Sequence, residues 1–557
     1  MLLTQKLMAS TPTPIDLPAL RRQLWALLAP ESNFLWVIVI YGAAISVMTL
    51  AVPIAVQTLI NSIANIGSLR AVYSLALTLL IILLSYGALS AARVWVVEIY
   101  RRRIFARLSA EISYSVVRAP HWVFEGRRNT GMTHRYFDIM ILQKNVPRLF
   151  ADGFALILQT AVGFTLVSFY HPWLFLFNAL TLLIVMLIWT LWSPGARRSA
   201  VALSKQKYAM ARWLSDMEVA HDFFKSKRHL TLAASKTNAL TAAYLDEHKR
   251  LFGQTFSQTI SFLLLYAVGS AALLALGGWL VTLGELSIGQ LVAAELVMAA
   301  IFLGLSRFSS YLKYYYELYG SADKLSEVLS LPEENPHGVA SAPAGASLDF
   351  INTTIRRGNR RCQLEWSIPA GAKVCVRTEE AWIQPAVLSV LRAHRPVDGG
   401  RINLGNINLE DFDLLELRQA ILGVDRSLIL ECSIRDFLAL HSAEADTETL
   451  ITVLQKVYLW PLIESFPEGL NTQLSATGSP LQGAEMLLLK LAGALLGKPS
   501  VLVLNQLFDQ LLPSVRDGVL EMLSEQPMTV LYFSSQPPHP AFTEQKVLTA
   551  SEGAGDE

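Results

Sequence analysis

The chain is 557 residues long, with 52% hydrophobic and only 16% charged residues. A soluble domain averages about 45–50% apolar and about 25% charged, so this composition excludes a wholly soluble protein and implies a membrane part diluted by a soluble one. The net charge of +1 provides no global field for a nucleic acid or an acidic partner.

The N-terminal stretch MLLTQKLMASTPTPIDLPAL lacks the compact apolar core of a cleaved signal peptide, so the first span is expected to act as an uncleaved signal. Residues 17–30 alternate apolar and basic at helical spacing. This fits either an amphipathic elbow on the inner membrane surface or an ordinary surface helix. Tail and elbow together occupy 1–33. Six apolar runs follow, near 34–57, 71–92, 153–170, 172–194, 256–283 and 286–306. Each is close to the about 20 residues that cross roughly 30 Å of hydrocarbon. Glu295 in the sixth run is the only charge in any of them.

Basic residues set the expected topology. Segments 93–150 and 195–255 each hold eleven Lys or Arg, whereas the opposite loops near 58–70, 170–172 and 283–287 hold only Arg70. Both long connections and both termini are therefore expected in the cytoplasm. Each connection reads as two helices and a turn. At 1.5 Å per residue, about 25 residues carries a span roughly 38 Å beyond the bilayer. The hairpin tips, 121–135 and 221–228, mix aromatic and basic residues. Trp122, Phe124, Phe223 and Phe224 are candidate docking residues, with a plain amphipathic turn as the alternative.

Residues 307–331 stay helical in pattern, and the aromatic run 311–319 is expected to pack on the neighbouring cytoplasmic helices. Residues 331–347, rich in Pro, Gly, Ala and Ser, read as a linker. From 348 to 550 short apolar runs alternate with helices. KVCV (373–376), SVLVLN (500–505) and TVLYFS (529–534) read as buried strands of a parallel sheet. All three cysteines, Cys362, Cys375 and Cys432, lie in this region, match no metal-site spacing and suit a reduced compartment. No metal site is expected. The acidic tail, 551–557, is expected to carry no order.

Six spans, two cytoplasmic hairpins, a linker and an α/β domain together resemble type I ATP-binding-cassette (ABC) exporters, above all the bacterial peptide and protein secretion group. GGWLVTLGELSIGQLVAAELV (277–297) is similar to that group's entry into span six, and FEGRRNTGMTHRYFDI (124–139) to its first coupling helix. IPAGAKVCV (368–376), RPVDGGRINLGNINLEDFDLLELRQAI (395–421), CSIRDFL (432–438) and LKLAGALLGKPSVLVLN (489–505) follow in the family's order. The resemblance implies an all-α polytopic membrane domain over 34–330 and an α/β P-loop-NTPase-like cassette over 348–550. It also implies a bacterial inner-membrane location, ATP and Mg²⁺ as family cofactors, and a dimer of half-transporters. A periplasmic adaptor and an outer-membrane channel are further possible partners. No peptidase segment precedes span one, so cleavage of leader peptides is not expected.

The family's catalytic positions carry over one residue at a time. Its phosphate loop needs G-x-x-x-x-G-K-[ST], because glycines let backbone N–H groups approach phosphate, the lysine neutralises oxygens and the hydroxyl holds the metal. Here Thr378 and Ile383 stand for the glycines, Gln384 for the lysine and Pro385 for the hydroxyl. Glu379 and Glu380 would repel a triphosphate. Asn505 and Gln506 replace the Asp-Glu pair that orients metal and polarises water, and an amide does neither. Arg426 stands at the γ-phosphate-sensing glutamine, Ser535 at the switch histidine and Arg357 at the adenine-stacking aromatic. The signature reads Leu481-Gln482-Gly483-Ala484-Glu485.

The expected function is an exporter subunit with little or no ATPase of its own, powered by an intact partner cassette. The alternative is a non-transporting membrane scaffold or regulator that uses the cassette as an interaction module. A conventional ATP-driven exporter ranks last. Glu295 is expected to face the bundle interior. There it either meets a cationic substrate group or a proton, or pairs with Gln159, Gln57 or Asn61.

Overall fold

The computed structural model describes residues 17–65, 69–124, 132–334, 338, 347–425, 429–542 and 544–552. Arg426, residues 125–131 of the first tip, most of the linker, the N-terminal tail before Leu17 and the tail after Glu552 lie outside them. The chain divides into two units, Met1–Ala119 with Val123–Glu333, and Pro120–Trp122 with Glu334–Glu557.

The first unit is helical. Its helices are α1 (Leu17–Leu28), α2 (Ser32–Met48), α3 (Ala51–Asn65), α4 (Leu69–Arg118), α5 (His121–Phe124, shared between the units), α6 (Asp138–Arg148), α7 (Phe154–Ser168), α8 (Pro172–Val219), α9 (Lys227–Thr282), α10 (Ile288–Ser306) and α11 (Phe308–Leu329). Among the described residues, six stretches are long and apolar enough to cross a membrane: Arg21–Asn61, Val72–Arg118, His134–Ser168, Pro172–Val219, Lys227–Thr282 and Ile288–Leu329. Each overlaps one of the expected spans to within two residues at either end of the expected run. The 50 residues of α4 and the 56 of α9 run on without a break from the apolar part into the basic connection. No Gly–Pro punctuation interrupts them, so the helical ladder continues.

Helix ends follow local chemistry. Ser287 and Gln290 form a capping box at the start of α10, and the His171 ring accepts the Trp173 N–H just ahead of α8, whose first residue is Pro172. Pro147 withdraws one donor inside α6, and the chain then takes a π-helical turn over Leu149–Gly153 before α7. The elbow α1 is held by more than amphipathicity. The Arg107 guanidinium donates to both Glu31 carboxylate oxygens at 2.6 Å, to the Leu27 carbonyl at 2.6 Å and to Glu111 at 2.8 Å. Leu27 and Leu28 pack in one buried cluster with Tyr100, Ile104 and Leu108 of α4. The run 311–319 packs on neighbouring helices, the fourth apolar run included: Tyr316 and Tyr319 are buried, and the Tyr315 ring lies 5.7 Å from that of Trp189.

The second unit holds two five-stranded sheets. One has the order β12-β2-β1-β4-β5, from Ala550–Glu552, Arg360–Ile368, Leu348–Arg357, Gly399–Leu404 and Ile407–Asn408, and is antiparallel. The other, β11-β3-β10-β9-β6, is parallel and uses Glu544–Leu548, Lys373–Thr378, Thr529–Phe533, Val501–Leu504 and Ile421–Val424. The three strands expected from sequence are its centre, β3, β10 and β9. They are buried along nearly their whole length, as a sheet covered on both faces requires. The tail expectation needs correction. Ala550–Glu552 form β12, with Ser551 opposite Arg361 and Glu552 opposite Arg360. Backbone pairing along an open sheet edge orders these residues despite their polar composition.

Candidate functional site

In a parallel α/β sheet, ligands are held at the carboxyl ends of the strands. Here Thr378, Phe533 and Leu504 end neighbouring strands β3, β10 and β9. The loop 379–382 and helix α12 (Ile383–Leu391) follow Thr378, Asn505 and Gln506 follow Leu504, and Ser535 follows Phe533 by two residues. The fold therefore gathers the expected loop, the amide pair and Ser535 at one edge.

The loop is closed by its own side chains. The Trp382 indole N–H donates to Glu380 at 2.6 Å, and Arg360 at the start of β2 forms an ion pair with the same carboxylate oxygen at 2.6 Å. The Arg360 guanidinium, then the indole, hold the Glu380 carboxyl below the usual carboxylate range, so it stays ionised near neutrality. Trp382, Ile383 and Gln384 are all buried. Two loop N–H groups are spent internally, Glu379 on the Leu548 carbonyl and Ile383 on the Glu380 carbonyl. Pro385 has none to give.

At the second strand, the Asn505 carboxamide accepts the Leu507 N–H at 2.9 Å and caps a short 3₁₀ turn, Gln506–Gln510. That turn delivers a residue the motif comparison passes over. Asp509 accepts from the Ser534 hydroxyl at 2.8 Å, the Ser535 N–H at 2.9 Å, the Ser535 hydroxyl at 3.0 Å and the Tyr532 hydroxyl. Burial and the Asp509 carboxylate push the Tyr532 phenol up, and the same two causes raise the Cys375 thiol. Ser535 thus serves an internal carboxylate.

The signature stretch opens α17 (Gly483–Gly497), counting the shorter cassette helices Leu414–Ala420 (α13), Ile434–Ala439 (α14), Thr447–Lys456 (α15) and Trp460–Ser465 (α16) before it. Gln482 and Glu485 form a reciprocal capping box there, the Gln482 N–H donating to the Glu485 carboxylate at 2.6 Å. A helix N-terminus is a ready anion site, and this one holds a carboxylate from its own chain. Leu481 is buried beside it. Arg357 ends β1 and is exposed.

Glu295 lies on α10, half-buried, and its buried Oε2 atom has no hydrogen-bond partner among the described residues. None of the three amides proposed for it bonds to it among the described residues. Gln57 instead accepts the Tyr170 hydroxyl at 2.7 Å, and Asn61 lies against Gly289. At the tips, Trp122 and Phe223 are 57% and 54% exposed, and Phe124 is also exposed, whereas Phe224 packs edge-on to Trp213 at 5.6 Å. Within the second unit, the His121 ring lies 4.5 Å from that of His394. No cluster of three or more metal-ligating side chains occurs among the described residues.

No family model matches the chain. Over 546 residues it is 22% identical to "ABC multidrug transporter mdr2" of Aspergillus fumigatus, covering 92% of this chain and 66% of that protein. Over 529 residues it is 23% identical to "ATP-dependent permease MDL1, mitochondrial" of Saccharomyces cerevisiae, covering 87% of this chain and 73% of that protein. The structure of a bacterial Atm1-family ABC exporter with ATP bound superposes with a TM-score of 0.78, over 97% of this chain and 95% of that one, at 15% identity. The chain has the fold of an ABC exporter half-transporter. Its sequence similarity to ABC exporters supports a membrane transporter.

Proposed function

We propose that this chain is the transporting subunit of an ABC exporter whose own cassette neither holds nor hydrolyses ATP, and that an intact partner cassette powers it. The carrying observation is the self-closed phosphate loop, with Glu380 clamped between Arg360 and the Trp382 indole. A magnesium nucleotide does not fit these residues. Gln384 is neutral and buried where a cation is needed, Pro385 supplies no hydroxyl, and Asn505 and Gln506 offer the metal no carboxylate. Ser535 and the capped α17 terminus are committed to internal carboxylates.

The buried, unpartnered Glu295 oxygen favours a transporting role over a scaffold, since a carboxylate left unsatisfied in a span marks a path for substrate or proton. The collinear segments named above support a peptide or protein substrate, with a bacterial inner-membrane site and adaptor and outer-membrane partners. The test is purification of the full chain alone in lipid nanodiscs, followed by titration with a fluorescent ATP analogue and measurement of phosphate release. Binding weaker than about 1 mM, or at most about 4 kcal/mol, is expected. Micromolar binding overturns the reading.

A further inference from the structure

A cavity of about 220 Å³ opens inside the helical unit, lined by Phe150, Phe154, Trp189, Phe308, Tyr311 and Tyr315 among others, and by no charged side chain. A dry apolar cavity of about 150 Å³ already takes up a benzene-sized hydrocarbon. The depth of this one is set by the chain. Phe154 is the second residue of the third apolar run, Phe308 comes two residues after the sixth, and Trp189 precedes the end of the fourth by about 7 Å of helix rise. That is the boundary between acyl chains and headgroups, where Trp and Tyr concentrate. By the bias of basic residues it is the cytoplasmic leaflet. The cavity also opens at the surface of α7: Ile157, on its lining, is 50% exposed.

The charges at its rim are mainly positive. Arg307, next to Phe308, is exposed and forms no ion pair among the described residues. The Tyr311 hydroxyl lies in the field of Asp152, Arg307 and Arg93. Asp152 is balanced by Arg93 at 3.9 Å, and Arg148 stands near, donating to the Tyr314 hydroxyl at 3.2 Å. Three guanidinium groups against one carboxylate disfavour a cationic amphiphile. We propose that this cavity takes one acyl chain of an anionic phospholipid from the cytoplasmic leaflet, whose headgroup phosphate is held by Arg307. The site is independent of whether the cassette binds nucleotide.

The probes are dioleoyl phosphatidylglycerol and dioleoyl phosphatidylcholine, added to the full chain in mild detergent and counted on it by native mass spectrometry. One phosphatidylglycerol is expected to be retained, with about fivefold preference over phosphatidylcholine, the factor one interfacial Arg supplies. Gly153→Leu fills the cavity, since a Cβ there meets Leu149 and Tyr311 only at ordinary distances of 3.5 and 3.6 Å. Ile157→Trp blocks its mouth. Retention of both lipids should fall in each variant, and if one fails to fold the other still decides. Arg307→Gln should keep the lipid but bring the two headgroups to parity. Equal retention of the two lipids by the unaltered protein overturns the proposal. So does unchanged retention in the filled variant, or a change in dimer fraction without a change in lipid, which would assign the cavity to a second half-transporter.

Discussion

Gln384 is buried in the first turn of α12, with Pro385 behind it and the Trp382–Glu380–Arg360 chain ahead of it. A Gln384→Lys substitution should therefore restore no ATP binding, because the glycines, the hydroxyl and the free backbone donors remain missing. It should also lower the unfolding free energy by about 1–3 kcal/mol, the cost of burying an unpaired polar group. Nucleotide titration and calorimetry on the same preparation check both halves, and restored micromolar binding would show the loop to be more open than its contacts allow. Glu295→Gln is different. Its Oε2 has no partner to lose, so stability should change by less than about 1 kcal/mol. Export should fall about tenfold or more where the carboxylate meets a cationic substrate group; unchanged flux in vesicles removes that role. The placement of Thr378, Asn505 and Ser535 at the ends of neighbouring strands was legible because each falls at fixed spacing between framework segments. Asp509 was not. Only the register of β9 beside β10 sets the turn after Asn505 against Ser534 and Ser535. The amides offered to Glu295 failed for a similar reason, since Gln57 bonds to Tyr170, 113 residues away in sequence.

The elements themselves follow from pattern. Long apolar runs gave the spans, and short buried runs gave the centre of the parallel sheet. What sequence hid were the contacts that fix an element: the Arg107 anchor beneath α1, the pairing of β12 with β2, and the π turn that follows Pro147. Two element ends make measurable predictions. Gln482→Ala removes one arm of the α17 capping box and should cost about 1 kcal/mol in cassette stability, read from the unfolding midpoint. The second concerns the turn after α12. There His394 lies beside His121, Arg392, Arg418 and Glu334. Burial first, then Arg392, Arg418 and His121, hold its imidazole down at about 4, while Glu334 opposes them. Arg418, on α13, donates to both Glu334 oxygens at 2.6 and 2.8 Å and holds that carboxyl low. The unfolded imidazole takes a proton near pH 6.5 and the folded one does not, so the unfolded state binds more protons between those values. Stability is thus full above about pH 6.5 and falls as the pH drops toward 4. Glu334 adds a loss only below about pH 4.3, the unfolded carboxyl value. The melting temperature of the full chain should decline over the upper window, and His394→Asn should flatten that decline without altering the lower one.

At the scale of the molecule, the helical unit leaves much apolar surface uncovered. In the apolar window of the second span no residue is fully buried within the chain, so much of its surface is left to lipid or to a second subunit. In the ABC family resemblance, two cassettes enclose two nucleotides, each between one partner's phosphate loop and the other's signature. A homodimer of this chain would then have two closed loops and no site. Paired with an intact half-transporter, one site still fails on this chain's loop. The other retains the partner's loop opposite an α17 terminus that already carries the Glu485 carboxylate. Phosphate release by such a pair should therefore depend on the intact partner alone. Replacing the lysine of the partner's phosphate loop should reduce it to background, whereas Asn505→Ala in this chain, which removes only an internal turn cap, should change it by less than about twofold. Co-purification from the native membrane, followed by both substitutions in the reconstituted pair, decides the matter. If Asn505→Ala abolishes phosphate release as fully as loss of the partner's lysine, this chain holds a working site and the assignment of all hydrolysis to the partner is wrong.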